Sequence, residues 1–363
     1  MVYGGNTITI YSCSNNLRGL DYSPNGKYLV NCSESAGVDL REYDTGNLIV
    51  RITDWPGDIM TEGSGADAGC SFDGNFVAAS AASFNVDDTI AVWEILDLET
   101  GDHTRINEFT NHAQSGFPAP RLSWAPDKNY IVSGDRDGDI YVWKHDTGNI
   151  ETSFTNHNNT ITAVEWSFDG NYIISSDIDG IVYVWEWDTG NIETTFSEHT
   201  NQVLCVDLSP DGNYGVSSGQ DSKVHVWERI TGNIVATHNS DAYQVGAINW
   251  SAGGDHICFG DTDEMVFVWE WAADNIIVEY STSYTPVQVL FFENDDYIAT
   301  GSADGFGSRG RVRVFEWDKI LADGSSEQTV LIDTDSEGNV IVNPAVISTL
   351  PATDIEYGIP GGE

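Results

Sequence analysis

Histidine, serine and aspartate, which enzymes combine to activate a nucleophile, recur at fixed spacing in this chain of 363 residues. Each occurrence includes a tryptophan that follows the aspartate by six residues and the serine by ten. Three sets are complete: His112, Ser133, Asp137 and Trp143; His157, Ser175, Asp179 and Trp185; His199, Ser217, Asp221 and Trp227. A catalytic group is needed once, so the recurrence favours a structural network over a catalytic one.

Carboxylates at alternate positions could instead bind a cation. Asp333, Asp335 and Glu337 alternate before Gly338, as in the first half of a calcium-binding loop. Pro344 stands where such a loop needs a bidentate glutamate, which argues against a complete site. We therefore expect no cofactor, with calcium at the three carboxylates as the alternative.

The chain lacks two motifs of common enzyme classes. It has no His-Glu-x-x-His and no G-x-x-x-x-G-K-[ST] phosphate-binding glycine loop. Arg309, Arg311 and Arg313 form a basic cluster, which we interpret as ion pairs across a sheet seam, with a ligand clamp as the alternative. We predict that the protein is not an enzyme and has no catalytic residue.

The residues that could do chemistry lie in a repeating unit. One landmark is a turn, written SPDG at Ser209. This turn and its variants occur seven times in all, and each of the last four intervals between them is 42 residues. The second landmark is an apolar run that ends in an aromatic residue: Tyr43, Trp93, Trp143, Trp185, Trp227, Trp269 and Phe315. Each unit has the pattern of four short strands joined by turns. Such small sheets must stack to bury both faces, which a closed ring achieves.

This pattern resembles the WD-repeat β-propellers, whose repeat length and four-stranded blade it matches. The resemblance implies an all-β fold, a seven-bladed propeller, in which the three histidine sets form a hydrogen-bonded network inside the blades. The sixth unit departs from the pattern. It has His238, Asp263 and Trp269, but Phe259 stands where serine is expected.

The N-terminus contains a displaced copy of one strand. The segment GGNTITIY from Gly4 matches TGNIETTF from Thr189, although no first, second or third strand precedes it. We expect residues 5–11 to complete the last blade and close the ring, and we favour this over closure by residues 327–332. The predicted domains are a propeller over residues 1–317, and a C-terminal hairpin and extended arm over residues 318–363.

The resemblance also implies a docking surface, because in this family the narrower face of the ring is the usual binding site. The loops that precede a first strand, or join a second strand to a third, should reach it. The partner-binding candidates are Arg136, Ile178, Gln220, Thr262, Pro118, Thr160, Gln202, Gln244, Phe117 and Phe306. The aromatic candidates lie in insertions, where they could anchor an interface or pack locally.

The charge balance limits the partners. With 57 acidic and 15 basic residues, the formal net charge is −42, which disfavours nucleic acid and anionic lipid. We interpret the acidic composition as adaptation to high salt, with a basic partner as the alternative. Neither a signal peptide nor a membrane span is evident in the sequence, so a cytoplasmic location is favoured and no membrane insertion is expected.

These observations predict a monomeric, non-enzymatic scaffold that binds a protein partner through the narrow face. The alternative is a cell-surface or secreted propeller that binds a small ligand, a glycan or calcium. The sequence identifies neither the partner nor its pathway, because one fold hosts many functions.

Overall fold

The computed structural model describes residues 10–13, 17–23, 27–33, 37–42, 47–53, 67–71, 73–81, 89–97, 100–112, 120–126, 129–282, 285–292, 297–303, 310–316, 332–334 and 340–342. These residues form seven four-stranded antiparallel sheets and one two-stranded hairpin. The predicted all-β, seven-bladed propeller is confirmed. Among the described residues, no helix is long and apolar enough to cross a bilayer.

Six blades are each built from four consecutive strands. The first three consist of β2 (Leu17–Tyr22), β3 (Tyr28–Ser33), β4 (Gly37–Glu42) and β5 (Leu48–Ile52); β6 (Ala68–Cys70), β7 (Phe76–Ala81), β8 (Thr89–Asp97) and β9 (Asp102–Phe109); β10 (Arg121–Trp124), β11 (Tyr130–Gly134), β12 (Ile140–Lys144) and β13 (Ile150–Phe154). The next three consist of β14 (Ile161–Trp166), β15 (Tyr172–Asp177), β16 (Val182–Glu186) and β17 (Ile192–Phe196); β18 (Val203–Leu208), β19 (Tyr214–Gly219), β20 (Lys223–Glu228) and β21 (Ile234–Asn239); β22 (Val245–Trp250), β23 (His256–Asp261), β24 (Met265–Glu270) and β25 (Asn275–Ser281).

The seventh blade joins the two ends of the propeller sequence. It contains β26 (Thr285–Phe292), β27 (Tyr297–Ala303), β28 (Gly310–Glu316) and the N-terminal strand β1 (Ile10–Cys13), which pairs antiparallel with β28. Closure by an N-terminal strand is therefore confirmed, although the described strand is Ile10–Cys13 and residues 5–9 lie outside the described part. β26 also contacts β2, so the ring of first strands is continuous.

A short hairpin follows the propeller in the sequence. It pairs β29 (Ile332–Thr334) with β30 (Val340–Val342), as the sequence predicts. The domain boundary at residue 317 stays a prediction, because residues 317–331 and 343–363 are not described. Arg311 and Arg313 lie in β28 opposite β1, but the ion pairs proposed for them fall outside the described side chains.

The repeated SPDG-like turn is held by its own side chains. In the fourth blade the Ser167 hydroxyl accepts a hydrogen bond from the Tyr172 backbone N–H at 2.9 Å and donates one to Asp169 at 2.7 Å. Gly170 follows with φ of 70°, a left-handed conformation that glycine adopts without strain. Ser209, Asp211 and Tyr214 repeat these contacts in the fifth blade, which explains why the sequence repeats the turn.

The core lies between blades. The third-strand tryptophan of the fourth blade, Trp185, is fully buried and packs in one cluster with Val132 and Val142 of the third blade. Its ring stacks on Phe154, with centroids 4.6 Å apart and an interplanar angle of 6°. Each tryptophan thus fills a seam, which is why a single blade could not bury its own apolar faces.

Candidate functional site

A hydrogen-bonded network lies beneath one end of the ring in the third, fourth and fifth blades. In the fourth, His157 Nε2 lies 2.8 Å from the Ser175 hydroxyl, and the Trp185 indole N–H donates to that hydroxyl at 3.2 Å. His157 Nδ1 lies 2.7 Å from a carboxylate oxygen of Asp177. The same contacts join His112, Ser133 and Trp143 with Asp135, and His199, Ser217 and Trp227 with Asp221.

This geometry corrects the predicted aspartate in two of the three networks. The histidine partners are Asp135 and Asp177, two residues before Asp137 and Asp179. Asp177 ends β15 inside the blade, so its carboxylate reaches His157 and also accepts the backbone N–H groups of the following turn. Asp137 and Asp179 lie in the turn and are exposed.

The sixth blade differs further from the prediction. His238 lies in the outer strand opposite Val224, the position that Phe196 occupies opposite Val182 one blade earlier. Its ring contacts Phe259, with centroids 5.0 Å apart, and within the described part of the chain no hydrogen bond joins its side chain to a serine or an aspartate. The loop residue Ser240 instead donates to Asp261 at 2.9 Å. The aspartate of this blade is therefore Asp261, and Asp263 is exposed.

The hydrogen bonds of Asp177 can be tested by mutation. We expect Asp177→Ala to destabilise the protein by about 2–3 kcal/mol, because the change removes three hydrogen bonds and leaves a buried His157 nitrogen without its partner. Asp179→Ala, the matched control, should cost under about 0.5 kcal/mol because Asp179 is exposed. Urea unfolding of both variants measures the difference. Equal losses would contradict the assignment.

The loops above the network form one continuous surface, which we call the histidine-loop face. It consists of the loops that follow second and fourth strands, which leave an antiparallel blade at the same end. The Thr160 hydroxyl donates to the Arg136 carbonyl of the preceding blade at 3.0 Å, and the Ile178 N–H donates to the Thr160 carbonyl at 3.1 Å. Gly138, with φ of 89°, allows its loop to approach the His157 carbonyl, where a Cβ would lie only 2.8 Å away.

Most of the predicted face residues are brought together in this way. Backbone hydrogen bonds join Gln220 to Gln202 and Thr262 to Gln244, each within one blade. Arg136 is exposed, and the others are half-buried: Ile178, Gln220, Thr262, Thr160, Gln202 and Gln244. Three candidates lie outside the described residues: Phe117, Pro118 and Phe306. The same holds for Asp335 and Glu337, while only the backbone of Asp333 is described.

The structure adds an aromatic residue to this face. Tyr243 lies between β21 and β22 and is 68% exposed. The Ser222 hydroxyl of the fifth blade donates to its carbonyl at 3.0 Å, so the backbone beneath the ring is fixed to the neighbouring loop. The sequence signal was available, because Tyr243 directly precedes the predicted face residue Gln244.

A second polar feature joins the innermost strands, where carboxylates cross the seams between blades. Asp21 of β2 accepts the backbone N–H of Cys70 in the next blade at 3.2 Å. Asp67, which precedes β6, accepts the Leu122 N–H at 3.2 Å, and Asp207 of β18 accepts the Trp250 N–H at 3.0 Å. The Glu165 carboxylate accepts the Ser123 hydroxyl at 2.8 Å. We call these four the seam carboxylates: Asp21, Asp67, Glu165 and Asp207.

Burial perturbs the seam carboxylates strongly. Desolvation raises the pKa of Asp21 to about 7 and that of Asp207 to about 6, although backbone hydrogen bonds oppose both shifts. Desolvation also raises the pKa of Asp67, against the nearby Arg121 guanidinium. The pKa of Glu165 rises well above its ordinary value, first through desolvation and then through the charge of Asp207. Three of these groups accept backbone N–H groups of a neighbouring blade, and Glu165 accepts a hydroxyl of one, so we interpret them as structural.

One further cluster distinguishes the fifth blade. His225 lies beside His199, with ring centroids 4.8 Å apart, and its Nδ1 lies 2.8 Å from the Thr237 hydroxyl. Desolvation, the largest cause, and the nearby His199 together lower the pKa of His225 to about 4. His225 is therefore neutral at physiological pH.

Comparison with known proteins supports this architecture. A family model described as "IFT140 first beta-propeller" matches residues 94–206, and one described as "WD domain, G-beta repeat" matches residues 190–228. No curated protein matches the chain. WD-repeat propellers typically serve as protein-interaction scaffolds and are in general not enzymes. Together with the seven four-stranded blades and the repeated histidine networks, the two matches support a WD-repeat β-propeller family for this chain.

Proposed function

We propose that the protein is a non-enzymatic scaffold that binds a protein partner through the histidine-loop face. The observation that carries the proposal is the hydrogen bonding of loops between blades three and four and between blades five and six. Thr160 connects to Arg136 of the preceding blade, and Ser222 connects to Tyr243 of the following one. A surface whose backbone is fixed in this way loses little conformational entropy on binding.

Two exposed side chains give this face the means to anchor a partner. Tyr243 presents a large ring with a polar tip, and Arg136 presents a planar cation, the two residue types enriched at binding hot spots. The histidines below are engaged in hydrogen bonds with serine and aspartate, which supports a structural rather than a catalytic role for them. The acidic composition disfavours nucleic acid as the partner.

A capture experiment with three baits tests this function. The baits are the wild type, the face variant Arg136→Ala/Tyr243→Ala, and Phe168→Ala as a matched control. Phe168 is 75% exposed in the turn between β14 and β15, at the opposite end of the blade. We expect the wild type and the control to retain one stoichiometric protein from the source organism, and the face variant to lose it. Retention by the face variant, or absence of any stoichiometric protein, would contradict the proposal.

We also propose that the acidic surface is adapted to high salt. At a net charge of −42, self-repulsion opposes the compact state, and a Debye length of about 3 Å at 1 M salt screens it. We expect the melting temperature to rise steadily between low and molar KCl. Thermal unfolding followed by circular dichroism measures this, with NaCl as a control that should act equally. A melting temperature that is independent of salt would remove the argument.

A further inference from the structure

One position in the third strand, two residues before the tryptophan, lies beside the network histidine of its own blade. In the third and fourth blades it is Tyr141 and Tyr183, whose rings contact His112 and His157 with centroids 5.4 Å and 4.7 Å apart. The fifth blade has His225 at this position. The fifth blade therefore places a second imidazole beside the first, where the third and fourth blades place a phenol.

The aspartate of the fifth blade is also displaced. Gly219 stands where the third and fourth blades have Asp135 and Asp177, and the carboxylate that reaches His199 comes from Asp221, two residues later. One potential ligand atom from each of His199, Asp221 and His225 lies within 4.8 Å of the other two. Among the described blades, only the fifth combines these two substitutions.

The hydrogen bonds of His225 leave one of its nitrogens available. Its Nδ1 is occupied by the Thr237 hydroxyl at 2.8 Å. The Nε2 atom is buried and has no hydrogen-bond partner within the described part of the chain, in a residue that is only 3% exposed. A buried polar atom without a partner is costly, and a metal-bound histidine commonly has its second nitrogen held by a hydrogen bond of this kind.

We propose that His199, Asp221 and His225 form a binding site for a divalent transition-metal ion of the zinc class. Two imidazoles and one carboxylate are a common zinc ligand set, with water in the fourth position. The harder cations Ca²⁺ and Mg²⁺ prefer oxygen ligands and fit this set poorly. The proposal is independent of the partner-binding function.

Binding would relocate one proton within His199. In the metal-free network the His199 Nδ1–H is assigned as the donor to Asp221, and Nε2 accepts from the Ser217 hydroxyl. The ion would take the place of the Nδ1 proton, which moves to Nε2, where the Ser217 hydroxyl accepts its hydrogen bond, so the imidazole stays neutral and no net proton is released. Because zinc ligands lie roughly 3.5 Å apart, the His225 ring must approach the pair by roughly 1 Å. Lys223 opposes a cation here, since its charge reaches His225.

Metal titration of the full chain tests the site. We expect the wild type to bind one Zn²⁺ per chain by calorimetry and to melt at a higher temperature with excess Zn²⁺. Substituted Co²⁺ should show the intense visible bands of tetrahedral coordination. His225→Tyr and His225→Phe, which install the residues that other blades carry as Tyr183 and Phe267, should fold and lose all of these signals.

His256→Gln controls for adventitious binding, because His256 lies in β23, outside the cluster, and its replacement should leave the titration unchanged. Near-ultraviolet circular dichroism establishes that each variant is folded. The proposal is overturned if the wild type binds no stoichiometric Zn²⁺, or if folded His225→Tyr or His225→Phe binds it as tightly as the wild type.

Discussion

Replacing Trp185 by alanine is expected to destabilise the propeller by about 3–5 kcal/mol. The indole is fully buried at the seam between the third and fourth blades and stacks on Phe154. Its removal leaves a cavity that rigid neighbouring sheets cannot fill, and it also removes the hydrogen bond to Ser175. Guanidinium unfolding followed by far-ultraviolet circular dichroism should show a lower midpoint.

The matched control is Phe168→Ala in the same blade. Phe168 is 75% exposed, so its removal should change the free energy of unfolding by less than about 0.5 kcal/mol. If Trp185→Ala cost no more than this control, the interpretation of the tryptophans as the residues that hold the seams together would be wrong.

The second large effect concerns pH. The ordinary pKa of Asp21 is 3.8, and burial raises it to about 7 in the folded protein. Between these values the native state holds a proton that the unfolded chain has released, so the contribution of Asp21 to stability falls as the pH rises. Below the lower value this group has no effect; above the higher value it destabilises in full, by up to about 4 kcal/mol at about 1.4 kcal/mol per pKa unit. Asp207 acts in the same direction up to about pH 6.

Asp21→Asn isolates this contribution, because the amide cannot exchange the proton and retains an oxygen for the Cys70 N–H. Asn249 plays the same part in the sixth blade, where its side-chain oxygen accepts the Phe291 N–H at 2.8 Å. We expect the free energy of unfolding of this variant to decline less than that of the wild type between about pH 4 and 7. Denaturant unfolding at several pH values measures both slopes.

The control for net charge is Asp211→Asn, which also removes one negative charge. Burial opposes it, but hydrogen bonds from Ser209 and Asn213 together lower the pKa of Asp211. The stability that the Asp211 carboxylate contributes is therefore complete above its ordinary pKa of 3.8. It is lost only at lower pH, outside the range in which Asp21 changes its protonation. A slope that changes equally in both variants would mean that general charge repulsion, and not the buried carboxyl, sets the pH dependence.

The sequence was sufficient for the fold because each blade repeats the same local signals. The turn at Ser167 and Asp169 and the buried Trp185 recur in register, and four strands of alternating pattern lie between these landmarks. The closing strand was also predictable, because the N-terminal segment that includes the start of β1 repeats the sequence pattern of an outer strand. Its bounds were not, since pairing with β28 decides where a strand begins and ends.

The site was less predictable, for reasons that differ between blades. Only one residue separates Asp135 from Asp137, so spacing alone does not show which carboxylate points into the blade. Asp135 directly follows β11, and its carboxylate reaches His112 from this position. His238 could have been recognised as a strand residue, because it precedes its next first strand by seven residues where His157 and His199 precede theirs by four.

The seam carboxylates carried a readable signal that the sequence interpretation did not use. Asp21, Glu165 and Asp207 each stand two residues before the serine of the turn landmark, in the first strands of their blades. Their hydrogen bonds reach neighbouring blades that are about 40 residues away in the chain, as between Asp207 and Trp250. Such contacts exist only after neighbouring blades have packed against each other, so periodicity could mark the positions but not their partners.

The central claim is that a rigid histidine-loop face binds the protein partner. Calorimetric titration of the purified partner into the wild type, Tyr243→Ala and Phe168→Ala tests it most directly. We predict that Tyr243→Ala raises the dissociation constant by roughly 30-fold, equivalent to about 2 kcal/mol, as expected for a hot-spot aromatic residue. Phe168→Ala, at the opposite end of the blade, should bind the partner like the wild type. Loss of affinity in Phe168→Ala with unchanged affinity in Tyr243→Ala would contradict the account.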